Sequence, residues 1–378
     1  MRLGIFNSPY AREYAAGRRT AKQVIDWDLQ LTRWADEFGI DEAYFAEHHT
    51  VGDEPSPAPD AMIAAASQLT ERITLGAAAH LLPYHHPVSL AHRMMWLDHM
   101  TGGRYIAGVA PGGYPSDWAL FGTERGESSN AEMFSEALDL MQLIWAGGGP
   151  GGRGGRGGES GGGPFEFRGE HYYADMPAYS EVFKGPHLRP FAPSGIPIMM
   201  TGCRCASPTL AEAGRRGALP LSQQVHESVL VTHWQTYAEA AVAAGHSPDR
   251  ANWKICRDIF VADTDDEARD RVVHGALGRL WSEVNIPSFV NVLGIGPLLT
   301  GGEIDPSDLT LEWMLDNFLL VGSPETVIEK AERLYDSVGG FGTLITYTHE
   351  YHDEADVYRR HLELLGTRVG PALRGLVP

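Results

Sequence analysis

A chain of 378 residues, 43% of them hydrophobic, can build one large core or two ordinary ones. A formal net charge of −19 argues against nucleic acid as a partner, since DNA or RNA binding needs clustered Lys and Arg. Three cysteines, Cys203, Cys205 and Cys256, make no disulfide framework. The opening MRLGIFNSPY has no signal-peptide stretch, and no run approaches the ~18 apolar residues of a membrane span. A reduced, cytoplasmic setting is expected, with no membrane partner.

Eight short runs rich in β-branched or aromatic residues read as buried strands, in chain order at residues 2–7, 41–46, 73–79, 104–109, 196–201, 218–222, 254–262 and 342–347. Helical segments follow, clearest at 21–37, 87–100, 131–145 and 265–281. In the first of these, Val24, Trp27, Leu31, Trp34, Ala35 and Phe38 recur at steps of three or four, the pattern of an inward face. Asp60, Asn130, Ser207 and Ser323 stand where N-caps are wanted. Strand–helix alternation implies parallel βαβ units, and eight of them in a single domain point to a closed (β/α)8 TIM barrel over residues 1–378. An open doubly wound sheet is the alternative, but no G-x-G-x-x-G follows the first strand. Two stretches interrupt the alternation at the C-terminal face. Residues 147–163 are nearly all Gly and read as a flexible insert; residues 283–307 mix Gly and Pro with apolar residues and read as a lid.

In such a barrel the active site lies at the C-terminal ends of the strands. The second strand ends in Glu47, His48 and His49. The third ends in Ala78, Ala79 and His80, followed by LLPYHHP with Tyr84. The fourth ends in Ala110, Pro111, Gly112, Gly113 and Tyr114, and the fifth in Gly202, Cys203 and Arg204. One carboxylate, several imidazoles and a glycine turn therefore share one rim. No metal is expected: neighbouring His48 and His49 point to opposite faces of an extended segment, and C-x-C alone makes no zinc site. The small residues at 77–79 suit either a crowded barrel layer or a flat ring lying on the backbone. Gly112 and Gly113 suit a plain turn or a phosphate approach, and Arg204 with Ser207 suits an N-cap or an anion site.

These segments, EHH, LGAA, HHP, LDHMTGGR and the G-x-x-x-G-x-Y-x-x-D run, together with VGSPETVIEKAERLYDSVGGFGTLITY, resemble the bacterial luciferase-like flavin-dependent monooxygenases, in particular the limonene 1,2-monooxygenase-like branch. The resemblance covers nearly the whole chain outside the Gly-rich insert. It implies a two-component enzyme using reduced FMN, delivered by a separate NAD(P)H:flavin reductase, and O2, by way of a flavin C4a-hydroperoxide. His48 would be the catalytic acid/base and Glu47 a carboxylate at the flavin ring. Ala78 and Ala79 would form a cis peptide under the ring, Ala110 would touch it, and the region from Gly202 through Cys203 and Arg204 to Ser207 would hold the phosphate. An Arg that pairs with phosphate after strand 4 in this family is replaced here by Pro111, so Arg204, Gly112 and Gly113 are expected to take that part. Phe6, His80, Tyr84 and Tyr114 would line the face taken by a small apolar or aromatic substrate. A homodimer is expected. The alternatives on the same barrel are an F420-dependent oxidoreductase and a non-catalytic flavin-binding subunit.

Overall fold

The computed structural model describes residues 1–7, 10–123, 127–147, 165–176 and 186–378. Eight strands form the barrel: β1 (Arg2–Asn7), β2 (Glu42–Phe45), β3 (Thr74–Ala77), β4 (Tyr105–Ala110), β5 (Ile198–Gly202), β6 (Leu219–Ser222), β7 (Lys254–Cys256) and β8 (Thr343–Tyr347). Each pairs in parallel with the next, and β8 returns to β1 with Leu344 opposite Leu3, so the sheet is closed.

Strand periodicity sorts the side chains into two cores. Leu3, Ile5, Phe45, Leu75, Val109 and Leu344 face outward and join the core between barrel and helices. Phe6, Tyr44, Ile106, Met199, Leu221, Cys256 and Ile345 face inward and fill the barrel with a separate cluster. The filling is tight: a Cβ on Gly108 would stand 1.7 Å from the Ala77 carbonyl oxygen. Toward the N-terminal end, Lys254 Nζ lies 2.7 and 2.8 Å from the two carboxylate oxygens of Glu42. Both side chains are 1% exposed, and the Tyr44 hydroxyl donates to Glu42 at 2.6 Å.

The helix at Ala21–Phe38 opens on a Thr20–Gln23 capping box and buries Trp27, Leu31 and Ala35, as its periodicity requires. Ser323 caps its helix as expected. Ser207 stands at an N-cap position but its side chain makes no capping bond. Asp60 and Asn130 lie inside their helices instead; Asp60 pairs with Arg93 at 2.8 Å, and the Asn130 amide donates to the Pro111 carbonyl at 3.2 Å.

Three boundaries differ from the sequence expectation. The seventh strand is not continuous over 254–262. It breaks at Arg257 and Asp258, which are 0% and 1% exposed, and resumes as Ile259–Val261. That piece leaves the barrel to pair with Leu320–Gly322, a strand the sequence reading did not contain. The helix expected over 265–281 is two, Asp265–Val273 and Ala276–Leu280. Between them a Cβ on Gly275 would stand 2.1 Å from the Arg271 carbonyl oxygen, so the backbone turns where only glycine fits. Apart from Gly147, the Gly-rich insert lies outside the described residues, and an antiparallel hairpin, Phe165–Arg168 with Tyr173–Met176, follows it. The apolar insert forms short turns pinned to the loop after β6, where the His226 N–H donates to the Leu298 carbonyl at 2.7 Å and Leu299 is buried. Val292 and Leu293 remain exposed at its tip. No described helix is long and apolar enough to cross a membrane.

Candidate active site

The C-terminal rim carries the chemistry-bearing residues. Just past β2, Glu47 is 1% exposed and fully engaged. One carboxylate oxygen receives His49 Nε2 at 3.0 Å and His85 Nε2 at 2.8 Å. The other receives the Leu81 N–H at 3.0 Å. A carboxylate accepts only, so both imidazoles donate through Nε2. The Arg93 guanidinium donates to His85 Nδ1 at 3.1 Å, which fixes that tautomer. Burial alone would raise the Glu47 pKa, but the hydrogen bonds from His49 and His85 outweigh it and hold it at about 2. Glu47 thus braces the segment after β3, and the Ala78–Ala79 peptide bond in that segment is cis, as the resemblance implied.

His48 turns the other way. Its Nδ1 lies 2.9 Å from Glu54 Oε2, a contact whose angle leaves neither atom with a well-formed hydrogen bond among the described residues. Its ring centroid is 5.4 Å from that of Tyr114. His49 instead meets Phe121 and Tyr84, at 4.7 and 5.9 Å between ring centroids. The opposite facing expected of the two histidines is therefore observed. Burial and the nearby Glu54 charge push the Tyr114 phenol pKa up; burial and Asp117 do the same for Tyr84.

His80 does not reach the mouth. It is 1% exposed, and its Nε2 sits 3.0 Å from the hydroxyl of Tyr105, an outward-facing residue of β4. Burial lowers its pKa to about 4, so it serves the wall behind the rim as a neutral ring. Phe6 packs on Tyr347 with centroids 4.9 Å apart and shares an apolar floor with Ala78, Ile106 and Met199.

Ala110 closes β4 opposite Leu81. Gly112 has φ +84°, and a Cβ there would stand 2.4 Å from the Tyr84 hydroxyl, so the turn can pass that ring only as glycine. Gly113 is exposed with open space around it. After β5, Gly202 is buried against Leu210 and Ser207, while Cys203, Arg204 and Cys205 are exposed. The loop is anchored from below. Trp253 Nε1 donates to Ser222 Oγ at 2.9 Å, and Ser222 Oγ is 3.0 Å from His233 Nδ1. His233 Nε2 then donates to the Arg204 carbonyl at 2.7 Å. Thr201 Oγ1, at the end of β5, is buried with no hydrogen-bond partner among the described residues. A flat ring against Ala78 and Ala79, with an anionic tail toward Gly112, Gly113, Arg204 and Ser207, fits these residues. Among the described residues no three His, Cys, Asp or Glu converge as metal ligands.

The family described as luciferase-like monooxygenase matches residues 1–340. This chain belongs to that family. Among its relatives, the 3,6-diketocamphane 1,6-monooxygenase of Pseudomonas putida is 33% identical over 390 residues, covering 99% of this chain and 98% of its own. The limonene 1,2-monooxygenase of Rhodococcus erythropolis is 28% identical, covering 99% and 87%. A solved structure of the oxygenating constituent of 3,6-diketocamphane monooxygenase from Pseudomonas putida, described as a type II Baeyer–Villiger monooxygenase in complex with FMN, is 33% identical with a TM-score of 0.89, covering 100% of this chain and 99% of that one. The luciferase-like barrel read from EHH, HHP and the glycine turn is thus the barrel observed. The sequence reading did not name Glu54, Glu47's partner His85, or the buried pair Asp258 and His349, whose Oδ1 and Nε2 lie 2.9 Å apart. Asp258 and His349 lie just past barrel strands, a place that could have signalled them, whereas Glu54 sits in a polar loop that gives no such signal.

Proposed function

We propose that this luciferase-like monooxygenase is the oxygenase component of a two-component system that binds reduced FMN and inserts one oxygen atom into a small, largely apolar cyclic ketone. The observation that carries the reading is the FMN-bound relative, alike over the full length of both chains. The names of the relatives favour a ketone, and the apolar floor around Phe6 and Ala78 suits a hydrocarbon skeleton. When bound, reduced FMN supplies the two electrons that activate O2, of which one atom enters the substrate and the other leaves as water.

The chain's own residues bind, shield and move protons. Ala78 and Ala79 offer a backbone platform with nothing beyond Cβ to hold the ring away, and Glu47 and Ala110 flank it. Gly112, Gly113, Gly202, Cys203, Arg204 and Ser207 hold the phosphate end through N–H groups, hydroxyl and guanidinium. His48 carries the proton at the reacting oxygen, and Tyr114 packs its ring. Tyr84 and Phe6 contribute apolar surface. The turns at 283–307 exclude water from the mouth. A flavin reductase is the obligatory partner, and the protein works as a homodimer in the cytoplasm.

Arg204 gives a direct test of the phosphate assignment. Arg204→Ala is expected to weaken FMN binding by about 2 kcal/mol, the worth of a charge-assisted contact. Riboflavin, which has no phosphate, should bind both proteins alike. Equal losses for FMN and riboflavin in parallel fluorescence titrations would remove Arg204 from the phosphate site.

A further inference from the structure

At the C-terminal end of the barrel's inner cluster runs a polar chain that the site described above leaves unused. Leu219 and Leu221 of β6 belong to that cluster. Ser222 turns outward to Trp253 and His233, so strand alternation returns Gln223 to the inner side. The Gln223 N–H is tied to the Gly202 carbonyl at 2.9 Å, and its side chain is half-buried. On β8, Ile345 belongs to the same cluster, and Tyr347, two residues on, packs against it. The Tyr347 hydroxyl donates to Gln223 Oε1.

The direction of this chain is set from behind. Cys256 of β7 is fully buried and hydrogen-bonded with Tyr347. Burial pushes the thiol and the phenol up, so both keep their hydrogens near neutral pH. The phenol has one hydrogen and gives it to Gln223, so Cys256 supplies its own S–H to the phenol oxygen. With Oε1 taken, the Gln223 amide NH2 is the open end of the chain, with no hydrogen bond to another described side chain. Its surroundings are those already assigned to the substrate. Tyr347 lies on Phe6 with ring centroids 4.9 Å apart, and the cluster beneath joins Phe6 to Ala78, Ile106 and Met199, whose side chains carry no donor. A carbonyl that leaves water for such a floor loses its hydrogen bonds, and an amide N–H held in one direction replaces one of them.

We propose that Gln223 is a specificity-determining residue that donates its Nε2 hydrogen to the carbonyl oxygen of the substrate, with Tyr347 as the residue that orients the amide. The assignment rests on the ketone reading above. It selects one acceptor oxygen on an apolar body: a hydrocarbon of the same shape would leave the amide without a partner. Amide and phenol both stay neutral throughout, so the contact requires no change of protonation.

The test uses the FMN-loaded protein with cyclohexanone, norcamphor and camphor, each paired with the hydrocarbon that lacks the carbonyl. In the wild type, the infrared C=O stretch of a bound ketone is expected below its position in hexane. In Gln223→Leu the band should return upward and ketone affinity should fall about fivefold, the effect of one hydrogen bond between neutral groups. Hydrocarbon affinity should not fall, and FMN affinity should not change. Tyr347→Phe keeps the ring on Phe6 but lets the amide turn. It should move the band part of the way, and it carries the test if Gln223→Leu does not fold. A wild type that oxygenates a ketone whose band is unshifted, or a Gln223→Leu protein that binds it as tightly, would remove Gln223 from the substrate and leave the ketone reading standing. A loss of FMN affinity equal to the loss for ketone would give the amide to the cofactor and overturn the proposal. A wild type that neither binds nor converts any of the three ketones would overturn both.

Discussion

Replacing His48 with alanine is expected to cut coupled oxygenation by roughly 10²–10⁴-fold, the usual contribution of a positioned acid/base, while the barrel stays folded and FMN still binds. The expectation follows from where the side chain stands. It leaves the rim directly after β2, its main-chain N–H is tied to the Ser56 carbonyl at 3.0 Å, and Glu54 and Tyr114 hold its ring from two sides. None of its contacts belongs to the Ala78–Ala79 platform, whose brace is Glu47 with His49 and His85. Loss of the imidazole should therefore spare cofactor binding and strike the proton step. Reduced flavin would still be consumed, but the electrons would leave as hydrogen peroxide rather than in product. Because alanine also leaves the buried Glu54 without its neighbour, His48→Gln serves as the control that keeps a polar side chain there. His49→Gln should be milder in turnover, since that ring faces Glu47 and Phe121. Oxygen uptake, peroxide and product measured together decide the matter: an alanine variant with wild-type coupling would place the acid/base elsewhere.

The second large effect is on stability. Lys254→Met is expected to cost about 3–5 kcal/mol, because it leaves the Glu42 carboxylate buried inside the barrel without its cation. Burial alone would raise the Glu42 pKa, but the charges of Lys254 and Arg2 hold it below the usual range. After the substitution Arg2, at 3.2 Å and with its side chain half-exposed, and the hydroxyls of Tyr44 and Thr343 would remain, with no buried cation among them. The double variant Glu42→Gln with Lys254→Met removes both charges and should recover most of the loss. Urea unfolding of the two variants and the parent measures this. A single variant within 1 kcal/mol of the parent would mean that the pair is far less desolvated than its geometry indicates.

Much of the fold could be read because its signals are local. Each barrel strand is a short apolar run, the rule that barrel sites sit at strand ends drew attention to Glu47, His48, Ala78, Ala79 and the Gly112 turn, and the resemblance to the luciferase-like family added the cis peptide between Ala78 and Ala79. The misreadings came where tertiary context overrides local pattern. Lys254 to Ala262 looks like one strand, but Arg257 and Asp258 inside it are buried by partners far away in sequence: Asp258 by Gln224, Trp281 and His349, and Arg257 by Glu227 at 3.1 Å and by the Phe318 ring at 3.7 Å. A charged pair in a strand pattern gives no hint that it turns the chain out of the barrel. His80 sits at a strand end like the others, yet its side chain is buried against the Tyr105 hydroxyl, a partner distant in sequence. The HHP motif drew notice, but that His85 rather than His86 reaches Glu47 depends on the 3-10 turn at Leu82–Tyr84 between them. Glu54 lies in a polar loop whose composition, GDEPSP, resembles any surface turn.

If this mouth serves oxygenation, it must hold reduced FMN. Anaerobic titration of the protein with reduced FMN, with oxidised FMN and with reduced F420 tests it most directly. One FMN per chain is expected to bind, more tightly when reduced, with no comparable affinity for F420. Tight F420 binding with no affinity for FMN in either redox state would contradict it.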